Sequence, residues 1–371
     1  MNFKRIGAFL LLSVLGFCTC ALTPAAAEQV LYVCDSGNDK NTGASAAEAL
    51  KSLNVALIRL GKEGGTIVVC GPLTVGSDVE LSATAGKTTI TGVYGGVDYV
   101  RQNKAGIIFS GNVYLKSELV FENLTLNFHS SGPVIYCQGN SVTFGAGLTC
   151  SYLSSAPAIW GGTYGGRVGV TAESMTYYDY TIRIDSGTWN YVRGGSMRDD
   201  ETQPVGTIGG VTIEINGGTF TSRTTDATKN GVIAATGFDA LDGDAEIRIN
   251  GGDFKCAVVG VGRPGYNSTV SNNYYGNGNL RITITGGTFS GASRVGAVQD
   301  KVASWIDGDF YLTVTGGEFS RGFEGFDAAC VRGNAIPNID YTYYEQGLRV
   351  LGFDPVVFVR GDGDDAADGL S

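Results

Sequence analysis

The sequence predicts an all-β fold, a single-stranded parallel solenoid with a short capping helix near its N-terminus. Three observations carry that expectation: one motif recurs five times, Gly fills 57 of 371 positions, and short β-branched runs alternate apolar with polar residues. The motif occurs as Ile182-Arg-Ile-Asp-Ser-Gly-Thr-Trp189, Ile213-Glu-Ile-Asn-Gly-Gly-Thr-Phe220, Ile247-Arg-Ile-Asn-Gly-Gly-Asp-Phe254, Ile282-Thr-Ile-Thr-Gly-Gly-Thr-Phe289 and Leu312-Thr-Val-Thr-Gly-Gly-Glu-Phe319. Its starts lie 31, 34, 35 and 30 residues apart. Gly-Gly pairs and β-branched residues would break the helices of a helical repeat. A propeller blade needs about four strands in 40 to 45 residues. One coil of a solenoid fits the observed unit, with loops absorbing the length variation.

Within the motif, the first and third residues point inward and the second and fourth outward. The glycines allow a sharp turn, after which the aromatic residue returns to the interior. Stacking the coils about 4.8 Å apart lays Trp189, Phe220, Phe254, Phe289 and Phe319 in one internal column, and Arg183, Glu214 and Arg248 in one external column of alternating charge. Upstream, short strands are expected at 66–70, 88–92, 106–109, 113–115, 119–121, 124–128, 134–137 and 142–144, in coils without the Gly-Gly signature. The open end needs a cover. Residues 46–60 supply it as an amphipathic helix, with Ser45-Ala-Ala-Glu48 as a capping box, Leu50, Leu53, Leu57 and Leu60 as the apolar stripe, and Gly61 as the stop.

Residues 1–27 read as a secretory signal: Lys4 and Arg5, an apolar run from Ile6, then Ala25-Ala-Ala27. The expected address is secreted or cell-surface. No membrane span is expected in the mature chain. Losing Lys4 and Arg5 takes the formal charge from −10 to −12, and no Lys/Arg cluster offsets it, so a nucleic-acid partner is not expected. Six cysteines remain at 34, 70, 137, 150, 256 and 330. Export permits disulfides, and the alternative is buried free thiols. No Cys-x-x-Cys occurs among them, which argues against structural zinc.

Leu31-Tyr-Val-Cys-Asp-Ser-Gly-Asn-Asp-Lys-Asn-Thr-Gly-Ala-Ser45, the helix and Gly64-Gly-Thr-Ile-Val-Val69 resemble the opening of secreted right-handed parallel β-helix proteins of the pectate-lyase-like superfamily. The Gly-Gly-Thr-Phe coils resemble those of large bacterial surface proteins with the same fold. The resemblance spans nearly all of the mature chain and implies a right-handed coil. The module is expected over 28–355. Val357–Ser371 repeats the pattern of 31–45 at an offset of 326, so 356–371 reads as the start of a second, truncated module in a tandem array; the alternative is a chance acidic tail.

Pectin hydrolases of that superfamily use aspartates with Gly-His-Gly and Arg-Ile-Lys. Here the lone histidine, His129, precedes Ser130, and Asp199-Asp200 sits in a polar stretch. Pectate lyases carry Trp-Ile-Asp-His, whereas this chain has Trp305-Ile-Asp-Gly-Asp309. A lyase needs a cation to neutralise the uronate and a base to take the α-proton. Asp239, Asp242 and Asp244 are the candidate calcium ligands and Arg263 or Lys301 the candidate base, the alternative being an acidic turn and surface charges. Asp35 and Asp39, in a loop with Asn38 and Asn41, offer hard oxygen ligands for calcium, or an Asx-stabilised turn. Three tyrosine-rich patches fall between the motifs: Tyr177, Tyr178 and Tyr180; Tyr274 and Tyr275; Tyr341, Tyr343 and Tyr344. Exposed, they suit a glycan or protein partner; folded back, they line the wall.

These features point to a non-catalytic scaffold or adhesin-like module contacting glycans or other surfaces through inter-coil loops. The alternative is a polysaccharide-active enzyme, a calcium-dependent uronate lyase ahead of a hydrolase. A passive stalk would need no site.

Overall fold

The computed structural model describes residues 28–76, 79–81, 86–162, 175–176, 179–196, 206–221, 232–237, 240–262, 274–276, 278–290, 295–298, 304–319, 330–340 and 342–343. The leader and residues 356–371 lie outside them. The chain is all-β, and its described strands lie in stacked, mostly parallel sheets. The exception is the antiparallel pair Val93–Tyr94 and Val97–Asp98.

The chain passes through the sheets in a fixed order. Val30–Val33 begins a first sheet and Gly65–Val69 joins it in parallel, while Pro72–Val75 and Val79–Leu81 begin a second and a third. The next circuit adds Thr88–Thr91, Gly106–Phe109 and Val113–Leu115, one to each, in parallel. This arrangement is compatible with a solenoid. Later circuits add a fourth sheet, Met175–Thr176, Gly206–Ile208, Ala240–Asp242, Tyr274–Gly276 and Ser304–Ile306, ahead of each return to the first.

The motif register is the one its spacing predicts. Ile182, Ile213, Ile247, Ile282 and Leu312 are successive partners in the first sheet. Strand Tyr180–Ile184 alternates buried with more exposed positions, as period-two patterning requires. Phe220, Phe254, Phe289 and Phe319 stack with ring centroids 4.9, 4.6 and 4.7 Å apart. Trp189 rests on Phe144 at 4.4 Å. Outside, Arg183 pairs with Glu214 at 3.4 Å and with Asp185 at 3.0 Å.

Both glycines of the motif have a geometric cause. The second, at 187, 218, 252, 287 and 317, has φ between 96° and 112°, a region closed to most side chains. The first lies against the preceding circuit: a Cβ on Gly251 would stand 2.5 Å from the Asn216 carbonyl oxygen. In the last two motifs the expected turn is absorbed as an irregularity inside the long strands Leu280–Phe289 and Phe310–Phe319.

The cap differs from the expected helix over 46–60. Ala46–Glu48 is one 3-10 turn, and the α-helix spans only Leu53–Leu60. Leu50 breaks the run because its backbone pairs with the first strand, Val30–Val33: its N–H donates to the Tyr32 carbonyl at 2.8 Å and its carbonyl accepts from Cys34 N–H at 3.0 Å. Ser45 makes no side-chain cap, and the Glu48 carboxylate accepts from the Thr42 hydroxyl rather than completing a capping box. Ser52 caps the helix, accepting from Val55 N–H. Leu53, Ala56, Leu57 and Leu60 are the buried residues of this shorter helix, and they belong to the main core.

Candidate functional site

Two polar columns flank each motif strand and fix what its carboxylates do. The residue three places before each motif start is Asp179, Gly210, Asp244, Asn279 or Asp309. Asp179 accepts from Gly210 N–H, Asp244 from Asn279 N–H at 2.8 Å, Asn279 from Asp309 N–H at 2.9 Å, and Asp309 from Asn334 N–H at 2.8 Å. Three places after each start, Asn216 donates to Asp185 at 2.7 Å and Asn250 to Asn216 at 2.8 Å, and the Thr285 hydroxyl lies 2.7 Å from Asn250 Oδ1. Asp244, a candidate calcium ligand, is therefore a stitch between circuits. Asp242 is exposed at the end of its strand, and its backbone carbonyl accepts from Gly209 N–H at 3.0 Å. Asp239, Arg263 and Lys301 lie outside the described residues, as do Asp199 and Asp200.

The stitch has a pH signature. The Asn334 backbone N–H, foremost, holds the Asp309 carboxyl below its usual range, and the Thr342 backbone N–H does the same for Asp340. Both pKa values are lowered by folding, so their stabilisation is present above the unfolded carboxylate pKa and is lost as pH falls through the folded one. Acidifying below about pH 4 should loosen the last strand, Ala335–Ile339, first. Hydrogen exchange of that strand at pH 7 and pH 3 checks this, and Asp309→Asn with Asp340→Asn should remove most of the pH dependence there.

The loop at 35–41 is likewise built on backbone contacts. Asp35 accepts from Thr74 N–H at 2.8 Å and from the Thr74 hydroxyl at 2.7 Å. Asp39 accepts from Lys51 and Ser52 N–H, both at 2.9 Å, at the start of the capping helix. The two carboxylates thus anchor different segments. No group of three or more His, Cys, Asp or Glu is placed to hold a metal among the described residues. His129 is exposed, and its N–H continues the ladder to the Phe109 carbonyl at 2.8 Å.

The tyrosine patches divide. Tyr180 is buried, with its hydroxyl donating to the Gly194 carbonyl, and it braces the wall; the expectation of an exposed contact residue is corrected there. The motif's own periodicity explains this, because Tyr180 stands two residues before the inward Ile182. Tyr274 and Tyr275 lie in a strand of the fourth sheet rather than in a loop, as register partners of Ser304 and Trp305. The Arg332 guanidinium sits 4.2 Å from the Trp305 ring centroid and pairs with Asp307 at 2.7 Å. Tyr343 meets Phe319 edge-on at 5.8 Å. Tyr177, Tyr178, Tyr341 and Tyr344 lie outside the described residues.

Sequence reasoning missed the outer face of the third sheet. Tyr114, Tyr136, Trp160, Arg193, Ala234 and Val259 are successive register partners there. Tyr114 and Tyr136 stack at 5.1 Å, and the Arg193 guanidinium lies 5.4 Å from the Trp160 ring centroid. Arg193 is only 5% exposed, the one charged side chain so buried among the described residues. A permanent charge held there over an aromatic face is expensive to desolvate and is offset by such contacts. In chain order, strands of this sheet are followed by strands of the fourth across 163–174, 197–205, 238–239, 263–273 and 299–303, which lie outside the described residues. The missed signal is the outward apolar position of successive third-sheet strands, invisible until their register is known. A shallow groove of about 370 Å³ runs over the motif glycines from Gly251 to Glu318, left by the missing side chains.

Comparison with protein families, curated proteins and solved structures gave no match to this chain.

Proposed function

We propose that the chain is a secreted or cell-surface scaffold, adhesin-like and non-catalytic, built as a right-handed parallel β-helix of the pectate-lyase-like type. It contacts glycans or other surface molecules along the flank formed by the third and fourth sheets. One observation carries this reading: in successive circuits, variable segments leave the third sheet and enter the fourth at equivalent places. A stacked parallel sheet spaces the strands that flank those segments about 4.8 Å apart per circuit, and connections carried on a rigid frame are where recognition concentrates. Tyr275 and Trp305, register partners in the fourth sheet on the face opposite the buried Ile306, are of the residue type that suits sugar rings. The absence of a basic cluster suits neutral or weakly charged partners.

The test is retention of the mature protein on a panel of immobilised neutral and uronic-acid polysaccharides, with absorbance of unsaturated products followed in parallel, with and without calcium. The expected result is retention without product, weakened at least several-fold in Tyr274→Ala/Tyr275→Ala. A calcium-dependent absorbance rise that disappears in Asp239→Ala or Asp242→Ala would make the protein a lyase. No retention and no product would leave a stalk.

A further inference from the structure

Cys34 and Cys70 lie side by side on adjacent strands at the capped end. The parallel pairing of the first two strands ends at Val33 opposite Val69, and Cys70 N–H continues it by donating to the Val33 carbonyl at 3.0 Å. Cys34 and Cys70 are therefore the next register pair, about 4.8 Å apart across the strands, inside the Cα separation a disulfide spans. Leu31 and Val33 point into the main core. Cys34 and Cys70 instead form a separate cluster with Ala49, against Tyr32 and Tyr99. The Cys70 thiol donates to the Val33 carbonyl at 3.5 Å, and the Cys34 sulfur lies 3.2 Å from the Ser36 hydroxyl. The other four are placed differently: Cys150 is the register partner of Leu126, and Cys137, Cys256 and Cys330 belong to the main core.

We infer that Cys34 and Cys70 are a disulfide-forming pair that staples the capped first strand to the first full circuit, while the remaining four cysteines stay as thiols. The oxidant is a small or protein-borne disulfide of the kind found in oxidising compartments. One thiolate of the pair attacks a sulfur of that disulfide, breaking its S–S bond and expelling one thiol. The second thiolate attacks the protein sulfur of the mixed disulfide and expels the other thiol. Two cysteine thiols lose two protons and two electrons, and one disulfide becomes two thiols. Burial and the neighbouring Cys34 push the Cys70 thiol up, so closure accelerates as pH rises. Neither residue carries the proposed glycan contact, so the pair and that reading stand or fall separately.

The test is to refold the reduced mature protein in a mixture of reduced and oxidised glutathione at about pH 8, quench at low pH, block free thiols with iodoacetamide in denaturant and digest with trypsin without reduction. The expected product joins the peptide ending at Lys40 to residues 63–87, two hydrogens lighter than the sum of the two, with Cys137, Cys150, Cys256 and Cys330 alkylated. Six alkylated cysteines, or a bridge involving any of those four, would overturn the inference. Reduction of the oxidised protein should lower its Tm by several degrees, and the same treatment should leave Cys34→Ser and Cys70→Ser unmoved. An equal shift in those variants would also contradict it. The peptide result on the native sequence stands even if a variant fails to fold.

Discussion

Replacing Phe254 with Ala will destabilise the chain by about 3–5 kcal/mol. Phe254 is fully buried between Phe220, whose ring lies at 4.9 Å and 4°, and Phe289, at 4.6 Å and 13°. Removing its ring deletes the transfer free energy of the largest fully buried side chain described in that circuit. It also leaves a void that two fixed backbones cannot close. Because each circuit touches only its neighbours, the loss should concentrate in the strands Val211–Ile215, Ala245–Ile249 and Leu280–Phe289 rather than spread to the cap. Urea unfolding combined with hydrogen exchange reads both parts. Phe254→Leu, which keeps much of the volume, should cost clearly less. A change below about 1 kcal/mol for Phe254→Ala, of the size expected at a surface position, would show that the stacked column does not hold the circuits together.

The second large effect lies in the turn above that column. Gly252→Ala forces a Cβ onto a residue with φ of 112° and brings it within 3.1 Å of the Phe254 ring. Gly251→Ala puts a Cβ 2.5 Å from the Asn216 carbonyl oxygen of the circuit before. Backbone strain of this kind costs about 1–3 kcal/mol per site, and the two substitutions act through different contacts. At Gly252 the cost is local. At Gly251 two circuits must separate. Asp253→Thr is the control, because the equivalent positions are Thr188, Thr219, Thr288 and Glu318 and all point outward. It should stay within about 0.5 kcal/mol of the starting protein. Thermal unfolding of the three variants side by side checks the ranking.

The sequence made the motif circuits legible because one residue pattern served several demands at once. Ile213 and Ile215 declare the inward face, Gly217 and Gly218 the turn, and Phe220 the return, so register followed from alignment alone. Elements with a single demand were harder to see. Pro72–Val75 and Val79–Leu81 are only four and three residues long and follow the preceding strand after two and three residues, so with Gly71-Pro72 and Gly76-Ser77-Asp78 between them the stretch reads as loop. The capping helix was misjudged in length because Leu50 fits an apolar stripe and an extended bridge equally well. Only the partner strand decides between them.

The candidate site was less legible for a related reason. Asp244 reads as a ligand in isolation and as a stitch once Asn279 is known to stand beside it. Tyr180 looked like part of an exposed tyrosine run, yet its strand buries it. Arg193 carries no motif, and its neighbour Trp160 is far off in sequence; only the third sheet joins them. Polar side chains that act across circuits are set by register, and register becomes readable only where a repeat displays it.

The measurement that tests the account most directly is a set of distances along one outward column. Thr143, Arg183, Glu214, Arg248, Thr283 and Thr313 are successive partners in the first sheet. Spin labels placed pairwise at Thr143, Arg183 and Thr313 and read by pulsed electron resonance should report separations that grow by about 4.8 Å per circuit. That gives roughly 19 Å from Arg183 to Thr313 and roughly 24 Å from Thr143 to Thr313 at the backbone. Separations that fail to rise with the number of circuits, or pairs that give the same distance, would contradict the stacked parallel arrangement on which the column, the stitches and the proposed contact flank all depend.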